Sequence, residues 1–182
     1  MLPSQLKESF LVSVTGHTEK LFHIGSAKAY TNQMFDKILP KFAEILKLEY
    51  VKEYNPGRVD FALLEENSDG FKRPIWIIEH ENVGDKAHEE ISKLVLLASP
   101  QKLLISYAWD NRENRDNLLK GWANIVHNMD MNNEVGENKN LYVILGSMNP
   151  YKSETLPDKF TDNVESAWEF YHYKNGSFCL IK

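Results

Sequence analysis

The stretch that decides the fold runs Arg58-Val59-Asp60-Phe61-Ala62-Leu63-Leu64-Glu65-Glu66, Asn67-Ser68-Asp69-Gly70-Phe71, Lys72-Arg73-Pro74-Ile75-Trp76-Ile77-Ile78-Glu79-His80-Glu81. Its first part alternates. Val59, Phe61 and Leu63 fall on one face, Arg58, Asp60, Ala62 and Leu64 on the other, as in a strand. Residues Pro74–Asn82 form a second β-rich run, and Ile75-Trp76-Ile77-Ile78 is apolar on both faces, which predicts a central strand. Asp69-Gly70 is the dipeptide preferred by a two-residue type I′ turn, where both positions need φ > 0. With that turn, Glu66 faces Arg73 and Asn67 faces Lys72. The same register sets Leu64 against Ile75, Ala62 against Ile77, Asp60 against Glu79 and Arg58 against Glu81. An opposite-charge pair beside the turn supports the pairing. Pro74 lacks a ladder donor and marks the place where the register is expected to shift.

Working outward, Asn55-Pro56-Gly57 reads as a turn and Tyr50–Tyr54 as a strand. Tyr30, Met34, Ile38, Phe42 and Ile45 recur at helical spacing, interrupted by Pro40, so a kinked helix or two abutting helices is expected. Phe10–Val14 and Leu21–Ile24 read as short strands, with an N-terminal helix as the alternative. Downstream, Gly84-Asp85 opens a helix with Asp85 as N-cap. Its apolar stripe is Ala87, Ile91, Leu94, Val95 and Ala98, and Ser99-Pro100 ends it. Lys102–Trp109 is a strand, so a crossover to a parallel neighbour follows. Arg112–Met129 is a second amphipathic helix, Asn132–Asn140 a polar loop and Leu141–Leu145 a strand. Trp168–Lys174 and Ser177–Ile181 form a hairpin around Asn175-Gly176. The fold class is α/β, a mixed sheet flanked by helices.

The chain has 182 residues, close to one domain at about 150 residues per domain. Hydrophobic residues make up 42% and charged residues 26%, which excludes a disordered or fibrous chain. No apolar run exceeds five residues, too short for a transmembrane helix. The N-terminus shows no signal-peptide pattern. The single cysteine, Cys179, excludes an internal disulfide and a cysteine-built zinc site. A cytoplasmic location and no membrane association are the expectation. The net charge is −5 and the pI about 5.7, without the basic footprint of a simple nucleic-acid binder. The acid excess is concentrated in residues 57–110, which carry six basic and ten acidic groups.

The predicted register puts three of those acids together. Asp60 opposes Glu79, and Glu79 and Glu81 point the same way on one strand. Three carboxylates this close repel unless compensated. Arg58 compensates part of the charge. A bound Mg²⁺ or Mn²⁺ compensates the rest, because hard cations take carboxylate, carbonyl and water oxygens. Such a cation activates a water and stabilises charge on a phosphoryl group. The bland reading is a solvated cross-strand patch, which acids at the end of a buried strand do not favour.

Gly57-Arg58-Val59-Asp60-Phe61-Ala62-Leu63, followed by Trp76-Ile77-Ile78-Glu79-His80-Glu81, resembles the core of the PD-(D/E)xK nuclease superfamily. The element order, helix, three-strand meander, helix, strand, is similar too. The likeness covers residues 30–109 of a single domain 1–182, with 110–182 as a C-terminal helix, strand and hairpin extension. It implies a restriction-endonuclease-like fold, with Asp60 and Glu79 as metal-binding acids and the His80 backbone carbonyl as a further ligand. Glu81 stands where that superfamily has lysine, and Val59 where it has proline. Some restriction enzymes of the superfamily carry glutamate there and are active. Lys86 and Lys93, on the helix that follows, are the candidates for approaching a phosphate, against the alternative of salt bridges with Glu89 and Glu90 along that helix. The superfamily's additional helix acid has two candidates, Glu44 and Glu49.

The expected function is metal-dependent phosphodiester hydrolysis, with DNA as substrate and Mg²⁺ or Mn²⁺ as cofactor. Asp60, Glu79 and Glu81 would be catalytic, and Arg58, Lys86 and Lys93 substrate-binding. One rival is a catalytically inactive nuclease-fold binding or assembly module, favoured by the absent motif lysine and the acidic pI. Another is a metal-dependent hydrolase of a small phosphorylated molecule. His80 and His88 lack HExxH spacing, and His80 alternates away from the acids, so zinc is disfavoured. Trp168, Phe170, Tyr171 and Tyr173 are read as hairpin packing or a homodimer contact before base stacking. His127 and His172 are read as structural.

Overall fold

Pro40 sets the course of the first helical layer. It has no N–H to give its own preceding turn. In the computed structural model, which describes residues 2–17, 27–55, 57–109, 112–131, 134–135, 140–148 and 164–182, the chain widens into a π turn before it. Helix α2 (Ala27–Gln33) leads into the π turn Met34–Ile38 and then α3 (Leu39–Leu46), and the Leu39 N–H donates to the Met34 carbonyl. This is the expected interrupted helix. Residues Phe10–Val14 belong to helix α1 (Pro3–Val14) and not to a strand: Leu6, Phe10, Ser13 and Val14 recur at helical spacing and are its buried side. The Leu21–Ile24 strand lies outside the described residues.

Seven strands follow in one sheet whose spatial order is their chain order: β1 (Glu49–Tyr54), β2 (Val59–Glu66), β3 (Lys72–Glu81), β4 (Gln101–Trp109), β5 (Asn140–Met148), β6 (Trp168–Lys174) and β7 (Ser177–Leu180). The pairs β1/β2, β2/β3, β5/β6 and β6/β7 are antiparallel, and β3/β4 and β4/β5 parallel. Each parallel pair is bridged by a helix, α4 (His88–Leu96) between β3 and β4 and α5 (Arg112–Met129) between β4 and β5. The architecture is mixed α/β, a mixed sheet with helices on both faces. None of the helices is long and apolar enough to cross a membrane among the described residues.

Strand alternation sorts the core into two layers. Phe61, Leu63, Trp76, Ile78, Leu103, Ile105 and Tyr142 pack against α1, the π turn and α3. Ile77, Leu104, Leu141, Val143 and Leu145 pack against α4 and α5. Val59 joins this second layer, not that of Phe61 and Leu63, because the chain enters β2 through left-handed Gly57 and Arg58. Trp168, Phe170, Tyr171 and Tyr173 are all buried in the sheet, as packing residues and not as a stacking platform.

The hairpin register differs from the expectation in a telling way. Glu66 pairs with Lys72 and Glu65 with Arg73, one residue out of the predicted register. The turn is not type I′: Gly70 has φ +80°, but Asp69 is not left-handed. The Asn67 side chain builds the turn instead, its Oδ1 accepting the N–H of Asp69 (3.0 Å) and of Phe71 (2.9 Å). The shift is then undone. Leu63 pairs with Trp76 and Leu64 with Pro74, so Ile75 is an extra residue on β3, a bulge beside the proline. Beyond it Ala62 faces Ile77 and Phe61 faces Ile78, as predicted.

Candidate functional site

The paired register ends with Phe61 opposite Ile78, and Asp60 and Glu79 are the next residue along each strand. Asp60 is half-buried, and its Oδ2 accepts the backbone N–H of His80 at 2.9 Å. Glu79 has no exposed surface, and its Oε2 has no hydrogen-bond partner. Burial pushes the Glu79 carboxyl up to about 8, and the nearby Asp60 and Glu90 charges push the same way; only Lys93 pulls against them.

Lys93 comes from α4. The helix buries Ile91, Leu94 and Val95 against the sheet, which leaves Lys93 on the flank of that stripe. Its Nζ stands 2.8 Å from Glu79 Oε1 and donates to the Arg58 carbonyl at 3.2 Å. Burial lowers the Lys93 pKa, but the hydrogen bond and charge of Glu79, with Glu90 and Asp60, outweigh that and leave it raised. The salt bridge thus runs across to the strand and not along the helix.

The far end of α4 is anchored by a residue that sequence reasoning passed over. Lys102, at the start of β4, is fully buried and donates to the carbonyls of Leu94, Val95 (3.1 Å) and Leu97 (2.6 Å). An ammonium on the last carbonyls of a helix complements its dipole and satisfies its orphan acceptors. The signal available in the sequence was a lysine inside an otherwise apolar strand.

The turn between β1 and β2 closes the other side. Glu53, Gly57 and Arg58 all have positive φ, at 51°, 97° and 51°. Such backbone costs roughly 1–3 kcal/mol at a non-glycine residue and persists where surroundings impose it. At Gly57 an added Cβ would meet Leu97 Cδ2 at 2.7 Å, so the turn is pressed onto the end of α4. A cleft of about 330 Å³ beside Asp60 is lined by Glu53, Asn55, Arg58, Val59 and Asp60.

Several expected members stand elsewhere. Glu81 does not converge with Asp60 and Glu79: its Oε1 turns to accept the Val83 N–H at 2.9 Å, capping the end of β3, while its own carbonyl accepts from Ser106 Oγ at 2.8 Å. Arg58 lies outside β2 with an exposed side chain, so its carbonyl and not its guanidinium meets the site. Asp85 is not an N-cap. Gly84–Lys86 is a 3₁₀ turn and α4 starts at His88, which leaves Lys86 exposed and off the helix. Glu44 pairs with Lys41 at 2.9 Å on the surface, and Glu49 opens β1, paired with Lys72 at 2.6 Å. Neither supplies an acid here. His80 faces the opposite layer: its Nε2 lies 3.1 Å from Tyr107 Oη, its ring packs edge-on to Phe35, and burial lowers its pKa to about 4. His88 is exposed. His172 is buried against Tyr142 and 3.1 Å from Asn140 Oδ1.

Among the described residues, no group of three or more His, Cys, Asp and Glu side chains is arranged to hold a metal ion. Two observations nevertheless fit a hard cation. The Asp60 charge raises the cost of ionising Glu79, and Glu79 keeps a buried oxygen without a donor. No family model matches this chain, and no curated protein matches it significantly.

Proposed function

We propose that the protein is a Mg²⁺- or Mn²⁺-dependent phosphodiesterase of the restriction-endonuclease-like kind, acting on DNA in the cytoplasm. The observation that carries the reading is the fully buried Glu79 beside Asp60, with Lys93 at 2.8 Å. Lys93, which arrives from the next helix, would supply the ammonium that position 81 lacks. Asp60 and Glu79 would hold the cation, with the His80 carbonyl as the adjoining oxygen. That cation would supply an activated water and charge screening at the phosphorus. Lys93 sits where an ammonium stabilises negative charge developing on a phosphate oxygen. Glu81, already bound to the Val83 amide, orients the end of β3 and does not face the phosphate. The left-handed β1–β2 turn holds the Arg58 carbonyl against Lys93, and the exposed Arg58 side chain would be free to meet a substrate backbone.

The ion pair between Lys93 and Glu79 also favours a second reading, an inactive binding module of the same fold, because the lysine partly neutralises the acid without any metal. Cleavage of plasmid, linear duplex and single-stranded DNA with Mn²⁺ separates the two. The enzyme loses cleavage in Glu79→Ala and in Lys93→Ala. Cleavage that persists in Glu79→Ala, or a wild type inert on every substrate, defeats the enzymatic reading.

A further inference from the structure

We propose that the Lys93 ammonium is the resident counter-ion of Glu79, and that a divalent cation binds there by displacing it, which frees the ammonium for the substrate phosphate. The proposal rests on the metal-dependent reading above and concerns the regulation of that same site.

Lys93 Nζ stands 2.8 Å from Glu79 Oε1, the contact distance of a charge-assisted pair. A divalent cation at Glu79 takes the same carboxylate, at about 2.0–2.1 Å for Mg²⁺. An ammonium and a dication on one carboxylate repel each other, and burial keeps water and salt from screening them. One of the two side chains therefore yields. Glu79 is not the one, because it has no exposed surface and stands on β3, between β2 and β4 in the sheet. The Lys93 side chain is 29% exposed, on a flexible four-carbon stem that reaches solvent without opening the core. Nor does its departure loosen α4. The helix is held by Ile91, Leu94 and Val95 and by the Lys102 ammonium on its last carbonyls. The second contact of Lys93 is the Arg58 carbonyl at 3.2 Å, a neutral acceptor that does not oppose the move.

The ion pair thus lets the fold carry a fully buried carboxylate in the metal-free state. It also couples two ligands through one side chain. An anion that binds the displaced ammonium favours metal at Glu79, and metal at Glu79 favours the anion, by the same factor.

Mn²⁺ binding to metal-free protein, read from the spin-resonance signal of free Mn²⁺, tests this without any measurement of activity. Wild type binds and Asp60→Asn does not. Lys93→Met binds ~10-fold or more tightly than wild type, because no ammonium has to leave. Lys120→Met removes the same charge from an exposed position on α5 and changes the affinity by less than about 2-fold. A second measurement needs no variant. The ammonium NMR resonance of Lys93, protected from hydrogen exchange by its contacts in metal-free wild type, loses that protection as Mg²⁺ saturates the protein. If Lys93→Met binds no more tightly than wild type, or if the Lys93 resonance is unchanged at saturating Mg²⁺, displacement is refuted and the metal-dependent reading stands. If neither wild type nor Lys93→Met binds Mn²⁺, both fail together.

Discussion

Glu79→Gln isolates the cost of keeping a carboxylate in the sheet face under α4. In the unfolded chain this group titrates near 4.5; in the fold, burial first and then Asp60 and Glu90 raise it to about 8 against the pull of Lys93. Between those two values the native state holds a proton that the unfolded chain has released. The unfolded state then binds fewer protons, so stability falls as pH rises through the interval. The contribution is most favourable below the unfolded value and is lost once pH passes about 8. A single proton changes the unfolding free energy by at most about 1.4 kcal/mol per pH unit, and the whole interval amounts to about 4–5 kcal/mol. Glutamine is an isostere of the protonated acid and does not titrate. Urea unfolding of wild type and Glu79→Gln, in EDTA from about pH 5 to pH 8, cancels every other group common to both. The variant gains on the wild type as pH rises, by about 4 kcal/mol at the upper end. A difference that stays flat across that range refutes the account of Glu79 as a buried, underpartnered acid.

Three further outcomes follow from other contacts. Mn²⁺ at about one hundred times its Kd stabilises the fold by about 2.7 kcal/mol, which raises Tm by about 5–10 °C in scanning calorimetry, and Asp60→Asn abolishes the rise. Lys102→Met strips the buried ammonium from the Leu94, Val95 and Leu97 carbonyls and costs about 2–3 kcal/mol in urea unfolding, with hydrogen exchange increased at the end of α4. Gly57→Ala combines a φ of 97° with a 2.7 Å approach to Leu97 Cδ2 and destabilises by about 1–3 kcal/mol on the same assay.

Two turns with nearly the same sequence show how far the hairpins were legible. At Asn175-Gly176 both residues are left-handed, with φ 49° and 79°, and Lys174 pairs directly with Ser177, as a type I′ turn requires. At Asp69-Gly70 the same expectation fails because Asn67 precedes it by two residues. Its side-chain oxygen takes two amides of the loop and stabilises a longer turn. The resulting one-residue error does not reach Asp60 and Glu79, because the bulge at Ile75 removes it. Pro74 signalled that irregularity in the sequence, but not its direction. The predicted register is therefore recovered as far as Phe61 and Ile78, next to the two acids, through two departures that cancel.

The half of the site that comes from α4 was not legible, and the reason is geometric. Periodicity identifies the buried stripe Ala87, Ile91, Leu94 and Val95, and so places Glu90 and Lys93 on one of its flanks. Which flank faces the acids depends on how the crossover lies over the sheet. That is decided by contacts distant in sequence: the Lys102 ammonium at one end of the helix and Gly57 against Leu97 beside it. Read as an isolated helix, Glu89, Glu90 and Lys93 satisfy one another. Placed on the sheet, Lys93 turns to a strand carboxylate 2.8 Å away, not to Glu89 or Glu90. The ammonium beside the strand acid is therefore delivered from α4 and not from position 81. Lys93→Ala is accordingly a sharper test of the function than any substitution at Glu81, whose side chain is committed to the Val83 amide.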